Sequence, residues 1–256
     1  MITKKSSLEP HLLCKKGDVA PYVLLPGDPG RVLRMAKLLD NPKEISFNRE
    51  YRVVTGKYHG LPVTICSTGI GGPSTAIAIE ELINLGAHTF IRVGSCGGCQ
   101  KNIKIGDVVI SDSVIREDHT CLDYVPLQFP AVADRHVLRA LEDSALAVKA
   151  KYHVGPSISS DALYSKANKD RKVIWSQFGA LAQDMEAGTV LTLARVKGVK
   201  AGSILLVVDA EGEKNIKAKI ARYSSEAQSG KGQLVELEKR AVTIALEALL
   251  KLGKNK

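Results

Sequence analysis

Short apolar segments rich in β-branched residues alternate with amphipathic segments along most of the chain. Short apolar runs predict buried strands, and apolar residues spaced three and four positions apart predict helices. The predicted strands are 21–26, 51–58, 61–68, 89–93, 107–114, 153–159 and 201–208. The predicted helices are about 31–39, 74–85, 134–147, 187–197 and 233–252. Residues 1–18 are interpreted as a polar arm, and the Gly/Lys/Ser-rich residues 211–231 as a mobile loop.

Alternating strands and helices predict an α/β fold with a mixed, largely parallel central sheet flanked by helices. The composition shows no break, repeat or low-complexity tract, so residues 1–256 are interpreted as a single domain. In such folds ligands bind outside the carboxyl ends of the strands. Polar residues and glycines gather there in this chain, at Gly27 and Arg31, 69–72, 92–98, 159–161 and Asp209. Strand ends also collect turn residues for purely structural reasons, which is the alternative.

Arg92 interrupts the apolar segment at the start of TFIRVGSCGG, residues 89–98. A guanidinium in a core strand needs an anionic partner, because an unpaired buried charge is very costly. The Ser95 hydroxyl and the amides of the glycine-rich turn would add donors, and the combination suits a phosphate. The alternative is an edge-strand arginine that faces water, followed by an ordinary turn. The position at a strand end favours the anion site.

Arg31 follows a strand and the turn Gly27-Asp28-Pro29-Gly30, at the start of a predicted helix. Such a turn offers backbone amides and a positive dipole end to an anion. An arginine in the first turn of a helix is unfavourable for the dipole, so a bound anion would explain it. The alternative is a solvated arginine.

The composition excludes several classes of protein. Apolar content of 45% and charged content of 25% are ordinary for a globular protein. The net charge of +9 is spread along the chain without basic runs among aromatic residues, so it indicates attraction of small anions and not nucleic-acid binding. No apolar run is long enough for a membrane helix, and the N-terminus lacks the apolar region of a signal peptide.

The five cysteines are scattered and odd in number, which indicates a reducing, cytoplasmic location without a disulfide framework. Cys96 and Cys99 form a CxxC, but no second pair accompanies it to complete a zinc site. We interpret both thiols as structural, with a redox role as the alternative.

Several motifs occur in a fixed order: LPGDPGRV, NREY, STGIGGPSTAIAIEEL, RVGSCGG, GDVVI, FPAVAD, ISSDALY, DMEAGT and LLVVD. This set resembles the purine/uridine nucleoside phosphorylase family, and in particular its hexameric purine nucleoside phosphorylases, from about His11 to Asp209. The resemblance implies cleavage of a nucleoside by inorganic phosphate to free base and ribose 1-phosphate. It implies no cofactor and no metal. It also implies a homo-hexamer built from dimers that share active sites.

The resemblance assigns phosphate binding to residues that follow the first strands. Gly27, Arg31, Arg92 and Ser95 would bind phosphate within one subunit. Arg49, in NREY, would reach the phosphate of the adjacent subunit. Oriented cations would both bind the nucleophile and stabilise the positive charge that develops on the sugar.

The resemblance assigns nucleoside binding to a second group of residues. Glu186 would accept hydrogen bonds from the ribose 2′- and 3′-hydroxyls, since an ionised carboxylate only accepts. Met185 would pack on the sugar, with core filling as the alternative. His11 of the neighbouring subunit would reach the 5′-hydroxyl, with a solvated arm histidine as the alternative, and Tyr164 would stack on the base. Asp184 stands where many relatives have a glutamate, and its role is left open.

The identity of the base depends on Asp209 and on three departures from the uridine-cleaving pattern. Asp209 ends a buried strand, where burial favours the protonated carboxyl, so it could donate a proton to a departing purine. With Arg92 it is predicted to be catalytic, although a strand-end aspartate can simply cap a loop. Ala167, Lys169 and Ala210 replace residues that uridine-cleaving relatives use. Inosine or guanosine is therefore expected as substrate, with uridine, then methylthioadenosine, phosphorolysis as alternatives and a non-catalytic nucleoside-binding protein as another class.

Overall fold

The strands pair in one mixed sheet, seen in a computed structural model that describes residues 8–211 and 215–254. The strands are β1 (Tyr22–Leu25), β2 (Asp40–Asn48), β3 (Tyr51–Tyr58), β4 (Leu61–Cys66), β5 (Thr89–Gly98), β6 (Val108–Glu117), β7 (Ala131–Val132), β8 (Tyr152–Ser160), β9 (Ala182–Asp184) and β10 (Lys200–Asp209). Their order is β10-β6-β8-β9-β5-β1-β4-β3-β2, with β7 beside β6. β10 also pairs with β5, so β5, β10, β6, β8 and β9 form a closed ring.

Helices cover both faces of this sheet. They are α1 (Pro29–Ala36), α2 (Gly72–Asn84), α3 (Thr120–Tyr124), α4 (Arg135–Ala147), α5 (Lys166–Gln177), α6 (Ala187–Val196), α7 (Ile216–Ser229) and α8 (Gln233–Lys254). One apolar core packs α1, α4 and α8 against the sheet, and a second packs α2 and α6 against it. None of the described helices has the length and apolar character needed to cross a membrane.

The mixed α/β architecture expected from the sequence is confirmed. Parallel pairs join β1 to β4 and β5, β5 to β10, and β8 to β6 and β9. Antiparallel pairs join β2 to β3, β3 to β4, β6 to β7 and β10, and β5 to β9. The β2–β3 and β3–β4 hairpins turn at Arg49 and at His59-Gly60, all with positive φ. Positive φ suits the two-residue turns that join tightly paired antiparallel strands.

Strand β5 runs further than predicted. Its glycines were expected to end it after Val93, but it continues to Gly98. The extension has two partners, because Gly97 is in register with Asp209 of β10 and with Gln183 of β9. Pairing on both sides therefore keeps these glycines extended, although glycine disfavours strands on its own.

Six elements were missed: the short β7, β9 and α3, and the longer polar elements β2, α5 and α7. Strand β2 is an exposed edge strand, which needs little apolar sequence. Helix α5 fully buries only Asn168, so no apolar stripe marks it in the sequence. Most of the predicted mobile loop 211–231 is instead helix α7, which Asn215 caps at its start and Gly230, with φ 66°, ends. Residues 212–214 of that segment lie outside the described residues.

Part of the N-terminal arm is buried, although the sequence predicted a polar arm. Leu12 and Cys14 are fully buried beside α2 and the sheet. Their neighbourhood is fixed by Glu81, whose carboxylate accepts hydrogen bonds from the backbone N–H of His11 and of Leu12. This part of the arm therefore belongs to the core, while residues 1–7 lie outside the described residues.

Candidate active site

Arg92 lies inside the sheet and is only 4% exposed. Its Nε donates to Oδ2 of Asp184 at 2.7 Å, and its Nη2 is in contact with Oε2 of Glu186. The expectation that this guanidinium needs an anionic partner is thus met, and a water-facing arginine is excluded. Burial alone would lower the pKa of Arg92, but the carboxylates of Glu186 and Asp184 offset that effect and raise it.

Glu186 is held between this arginine and the turn before α2. Its Oε1 accepts a hydrogen bond from the N–H of Gly71 at 2.7 Å. Gly71 has a φ of 94°, a conformation that glycine adopts without strain. Burial raises the pKa of Glu186, the charge of Arg92 opposes that rise, and the charge of Asp184 adds to it. The turn GIGG therefore orients the carboxylate that the sequence predicted as the ribose ligand.

Asp184, whose role the sequence left open, anchors this cluster. Its Oδ2 accepts hydrogen bonds from Nε of Arg92 and from the backbone N–H of Ala187, at 3.0 Å, where α6 begins. Its side chain is fully buried, and within the described residues its Oδ1 has no hydrogen-bond partner. Asp184 thus holds the guanidinium of Arg92 in place and links it to the first turn of α6 through one carboxylate oxygen.

Arg31 is buried as well, which excludes the solvated arginine. Its Nη1 donates to the carbonyl of Val93 at 2.9 Å, so its guanidinium lies next to the residue that follows Arg92. Its Nε donates to Glu238 at 3.0 Å and its Nη2 to the hydroxyl of Tyr223 at 2.5 Å. Burial would lower the pKa of Arg31, but Tyr223 and Glu238 raise it.

Tyr223 and Glu238 are site residues that the sequence analysis missed. Tyr223 belongs to the segment predicted as a loop. Glu238 was visible as an acid on the apolar face of the last helix, between Leu234 and Ala241, which are both buried. An acid in that position needs a cationic partner, and this signal could have pointed to Arg31.

Asp209 occupies the other end of the site, at the end of β10. Its carboxyl group faces Gly97, because a Cβ added at Gly97 would lie 3.6 Å from Oδ2 of Asp209. The same point is 3.5 Å from Nζ of Lys172 on α5, a residue the sequence analysis did not single out. Gly97 therefore leaves space between a carboxyl group and an ammonium at the strand ends.

The other residues predicted to bind phosphate are Gly27, Ser95 and Arg49. A Cβ on Gly27 would be 3.0 Å from the carbonyl oxygen of Gly69, so the close approach of these two loops needs a glycine. Ser95 is half-buried on β5. Arg49 is exposed, with φ 54°, on the β2–β3 turn. The role of Arg49 in an adjacent subunit stays a prediction.

The predicted nucleoside ligands are less closely grouped. Met185 is half-buried between Asp184 and Glu186. Tyr164 is 57% exposed, with Nζ of Lys217 5.4 Å from its ring centre. His11 places Nδ1 2.6 Å from Oε1 of Glu81 in its own chain. Their contacts with a nucleoside stay predictions.

Of the three residues compared with the uridine-cleaving pattern, Ala167 and Lys169 are exposed on α5, and Ala210 is buried. Asn168, between Ala167 and Lys169, is 2% exposed and accepts a hydrogen bond from Nε2 of Gln183 at 2.7 Å. Asn168 and Gln183 are thus the buried amides at this end of the site, and the sequence analysis passed over both.

Cysteine chemistry is not indicated. All five thiols are free and buried. Burial raises the pKa of Cys99 to about 11 and that of Cys96 well above its ordinary value, and a protonated thiol is a poor nucleophile. Residues 8–211 and 215–254 contain no group of three or more His, Cys, Asp or Glu side chains that could hold a metal ion. These observations favour the structural interpretation of Cys96 and Cys99.

Comparison with known proteins agrees with this geometry. Residues 21–237 match the Phosphorylase superfamily. The chain is 45% identical to a uridine phosphorylase of Thermococcus kodakarensis, covering 79% of this chain and 78% of that protein. It is 44% identical to a guanosine phosphorylase of Halorubrum lacusprofundi, covering 78% and 82%. A crystal structure of uridine phosphorylase from Vibrio fischeri superposes with a TM-score of 0.85 at 33% identity, covering 97% of this chain and 99% of the other.

The chain therefore belongs to the phosphorylase superfamily. The resemblance to nucleoside phosphorylases seen in the sequence is confirmed, and the chain is an enzyme of the pentosyltransferase class.

Proposed function

We propose that this enzyme cleaves nucleosides with inorganic phosphate, and that uridine is its principal substrate. The observation that carries the proposal is the pair of buried arginines: Arg92 lies in β5 beside the end of β1, and Arg31 donates to the carbonyl of Val93, the next residue of β5. Two adjacent guanidiniums beside a carboxylate fit a reaction in which an anion attacks a sugar.

Phosphate would bind to the N–H groups of Arg31 and Arg92 that their internal partners leave uncommitted. A guanidinium has five N–H donors; Asp184 and Glu186 engage two of those on Arg92, and Glu238, Val93 and Tyr223 engage three of those on Arg31. The same internal partners hold both guanidiniums in place before substrate arrives, which lowers the cost of organising the site. The Ser95 hydroxyl on β5 would add a further donor.

Glu186 would hold the ribose through its hydroxyl groups while a phosphate oxygen attacks C1′. As the glycosidic bond breaks, positive charge develops on the sugar and the electron pair leaves with the base. The fixed carboxylate of Glu186 and the bound phosphate would stabilise that positive charge. Asp209 would lie at the base end, across Gly97, where its carboxyl group could supply the proton that the departing base takes up.

The relatives favour uridine over the inosine-like purines expected from the sequence, because the uridine phosphorylases named above align over most of the chain. Guanosine is the second candidate. It is supported by the guanosine phosphorylase at 44% identity and by the aspartate at the end of β10, which suits protonation of a purine.

We also propose that the enzyme works as an assembly of dimers, up to a hexamer, with Arg49 and His11 completing the site of a neighbouring subunit. Arg49 is exposed on the β2–β3 turn, with φ 54°. A cation placed there suits a shared site.

Ultraviolet assays of uridine, guanosine, inosine, adenosine and methylthioadenosine, each with and without phosphate, test the proposal. Uridine should be cleaved only with phosphate, with stoichiometric ribose 1-phosphate. Cleavage without phosphate would indicate a hydrolase, and binding without turnover would indicate a nucleoside-binding protein. Light scattering after gel filtration tests the assembly, and a catalytically active monomer would contradict shared sites.

A further inference from the structure

Gln183 lies at the base end of the site, directly before Asp184, Met185 and Glu186. It is in register with Gly97 of β5, and Gly97 is in register with Asp209 on the opposite side. Two strand spacings, about 10 Å, therefore separate the backbones of Gln183 and Asp209. Residues in register on neighbouring strands point to the same face, so Gln183 lies on the face to which a Cβ at Gly97 would point, although no Gln183 atom comes within 4 Å of that position.

The amide group of Gln183 has a fixed orientation. Nδ2 of Asn168 donates to the carbonyl of Leu163 at 3.3 Å, so Oδ1 of Asn168 must face Gln183. That oxygen accepts from Nε2 of Gln183 at 2.7 Å, and the Ser160 hydroxyl accepts from the same nitrogen at 3.1 Å. An amide nitrogen has two N–H donors, and both are thereby engaged. Rotating the Gln183 amide would set two oxygens against each other.

Because both N–H donors of the Gln183 amide are engaged, only its oxygen, Oε1, remains to bind a ligand. Within residues 8–211 and 215–254, no hydrogen bond to Oε1 of Gln183 is formed. Oε1 can only accept. A base that meets it must therefore present an N–H group, while a ring nitrogen with a lone pair would be repelled.

We infer that Gln183, oriented by Asn168, prefers bases that present a ring N–H over their amino counterparts, which can meet its oxygen only through the exocyclic amino group. Uracil, guanine and hypoxanthine have such an N–H. Cytosine and adenine carry an acceptor nitrogen at the corresponding edge. The inference rests on the proposed function and deepens it, since one oriented acceptor serves a uridine-cleaving and a guanosine-cleaving enzyme alike. A buried polar group left unpaired by the wrong base is an effective basis for such discrimination.

The test compares Gln183→Met and Asn168→Ala with the wild-type enzyme, using free bases as competitive inhibitors. Gln183→Met keeps the length of the side chain and removes the acceptor. It should weaken inhibition by uracil and guanine about tenfold and leave inhibition by cytosine and adenine unchanged or stronger. Asn168→Ala frees the amide to rotate, so it should reduce the preference for uracil over cytosine. Gln177→Met, the same change at an exposed position of α5, is the matched control.

The outcomes separate the inference from the proposed function. If the wild-type enzyme cleaves no nucleoside with phosphate, the proposed function fails, and binding of the free bases by calorimetry still tests Gln183. If the wild-type enzyme is active and Gln183→Met keeps the wild-type ratio of inhibition constants for uracil and cytosine, the inference is overturned. An unchanged KM for phosphate in both variants, with an unchanged melting temperature, assigns the effect to base recognition and not to a general disturbance of the fold.

Discussion

Nε of Arg92 lies 2.7 Å from Oδ2 of Asp184, and both side chains are at least 95% buried. The second oxygen-bearing partner, Glu186, binds the far end of the same guanidinium. A buried pair of this kind adds little net stability, since desolvation offsets the attraction, but removing one partner leaves a costly unpaired charge. The pair is better explained by its position, because it fixes the guanidinium of Arg92 beside the end of β1, where phosphate is proposed to bind.

Replacing Arg92 tests this arrangement. Arg92→Ala should raise the KM for phosphate at least about tenfold, because a charged hydrogen-bond donor to the anion is lost. It should also lower the free energy of unfolding by about 3–5 kcal/mol, since Asp184 and Glu186 are left buried without their cation. Phosphate-dependent kinetics and denaturant unfolding measure the two effects. The exposed Arg195→Ala is the control, and an unchanged phosphate requirement in Arg92→Ala would place the anion site elsewhere.

Asp209→Asn removes a proton donor and keeps the size of the side chain. The kcat for guanosine and inosine should fall about 100-fold, the lower range for loss of general acid catalysis. The KM for phosphate should stay close to that of the wild type, because Asp209 borders Gly97 at the base end. Steady-state kinetics with each substrate varied separate the two constants. Asp170→Asn, an exposed change on α5, serves as control, and full purine turnover by Asp209→Asn would refute the acid role.

The raised pKa of the Glu186 carboxyl group predicts that activity depends on pH. Burial raises the pKa of this carboxyl above its ordinary value, and only the ionised form accepts hydrogen bonds from both ribose hydroxyls. Activity is therefore present above that pKa and lost as the pH falls through it. A profile of kcat/KM for uridine should fall on the acid side, above the range where an ordinary glutamate titrates. Glu186→Gln should have low activity and lack this limb, and an identical limb in the variant would assign it to another group.

The lowered pKa of the Glu238 carboxyl group predicts that stability depends on pH. Burial would raise the pKa of Glu238, but hydrogen bonding by Arg34 and the charge of Arg31, with Tyr223, lower it overall. A depressed pKa in the folded state stabilises the protein above the pKa of the unfolded chain, and this stabilisation is lost as the pH falls through the folded value. Glu238→Gln should therefore be destabilised by about 3–5 kcal/mol near neutral pH, with a smaller difference in acid.

Urea unfolding of Glu238→Gln and the wild type near pH 7 and near pH 3, at one fixed protein concentration, measures that difference. The exposed Glu236→Gln, on the same helix, should unfold like the wild type at both values. A difference for Glu238→Gln that stays constant with pH would show that the carboxylate charge is not what holds Arg31.

The sequence alone pointed to most of the charged groups of the candidate site. Arg92 inside an apolar strand and Arg31 in the first turn of a helix contradict their surroundings, whereas Glu186 was predicted from the family resemblance. The turns GDPGR and STGIGG likewise marked where strands end. The sequence therefore determined the α/β class and the family, and it predicted most of the charged groups of the candidate site.

Only the tertiary structure decided how those groups are paired. Glu238 reaches Arg31 across 207 positions, and Asp184 reaches Arg92 across 92. Helices α5 and α7 carry partners of the site but are polar overall, so the apolar pattern did not predict them. The orientation of Gln183 depends on Asn168 and, through it, on Leu163. Hydrophobic periodicity reports which face of a segment is buried, whereas hydrogen bonds between distant side chains depend on how the closed ring of strands brings those faces together.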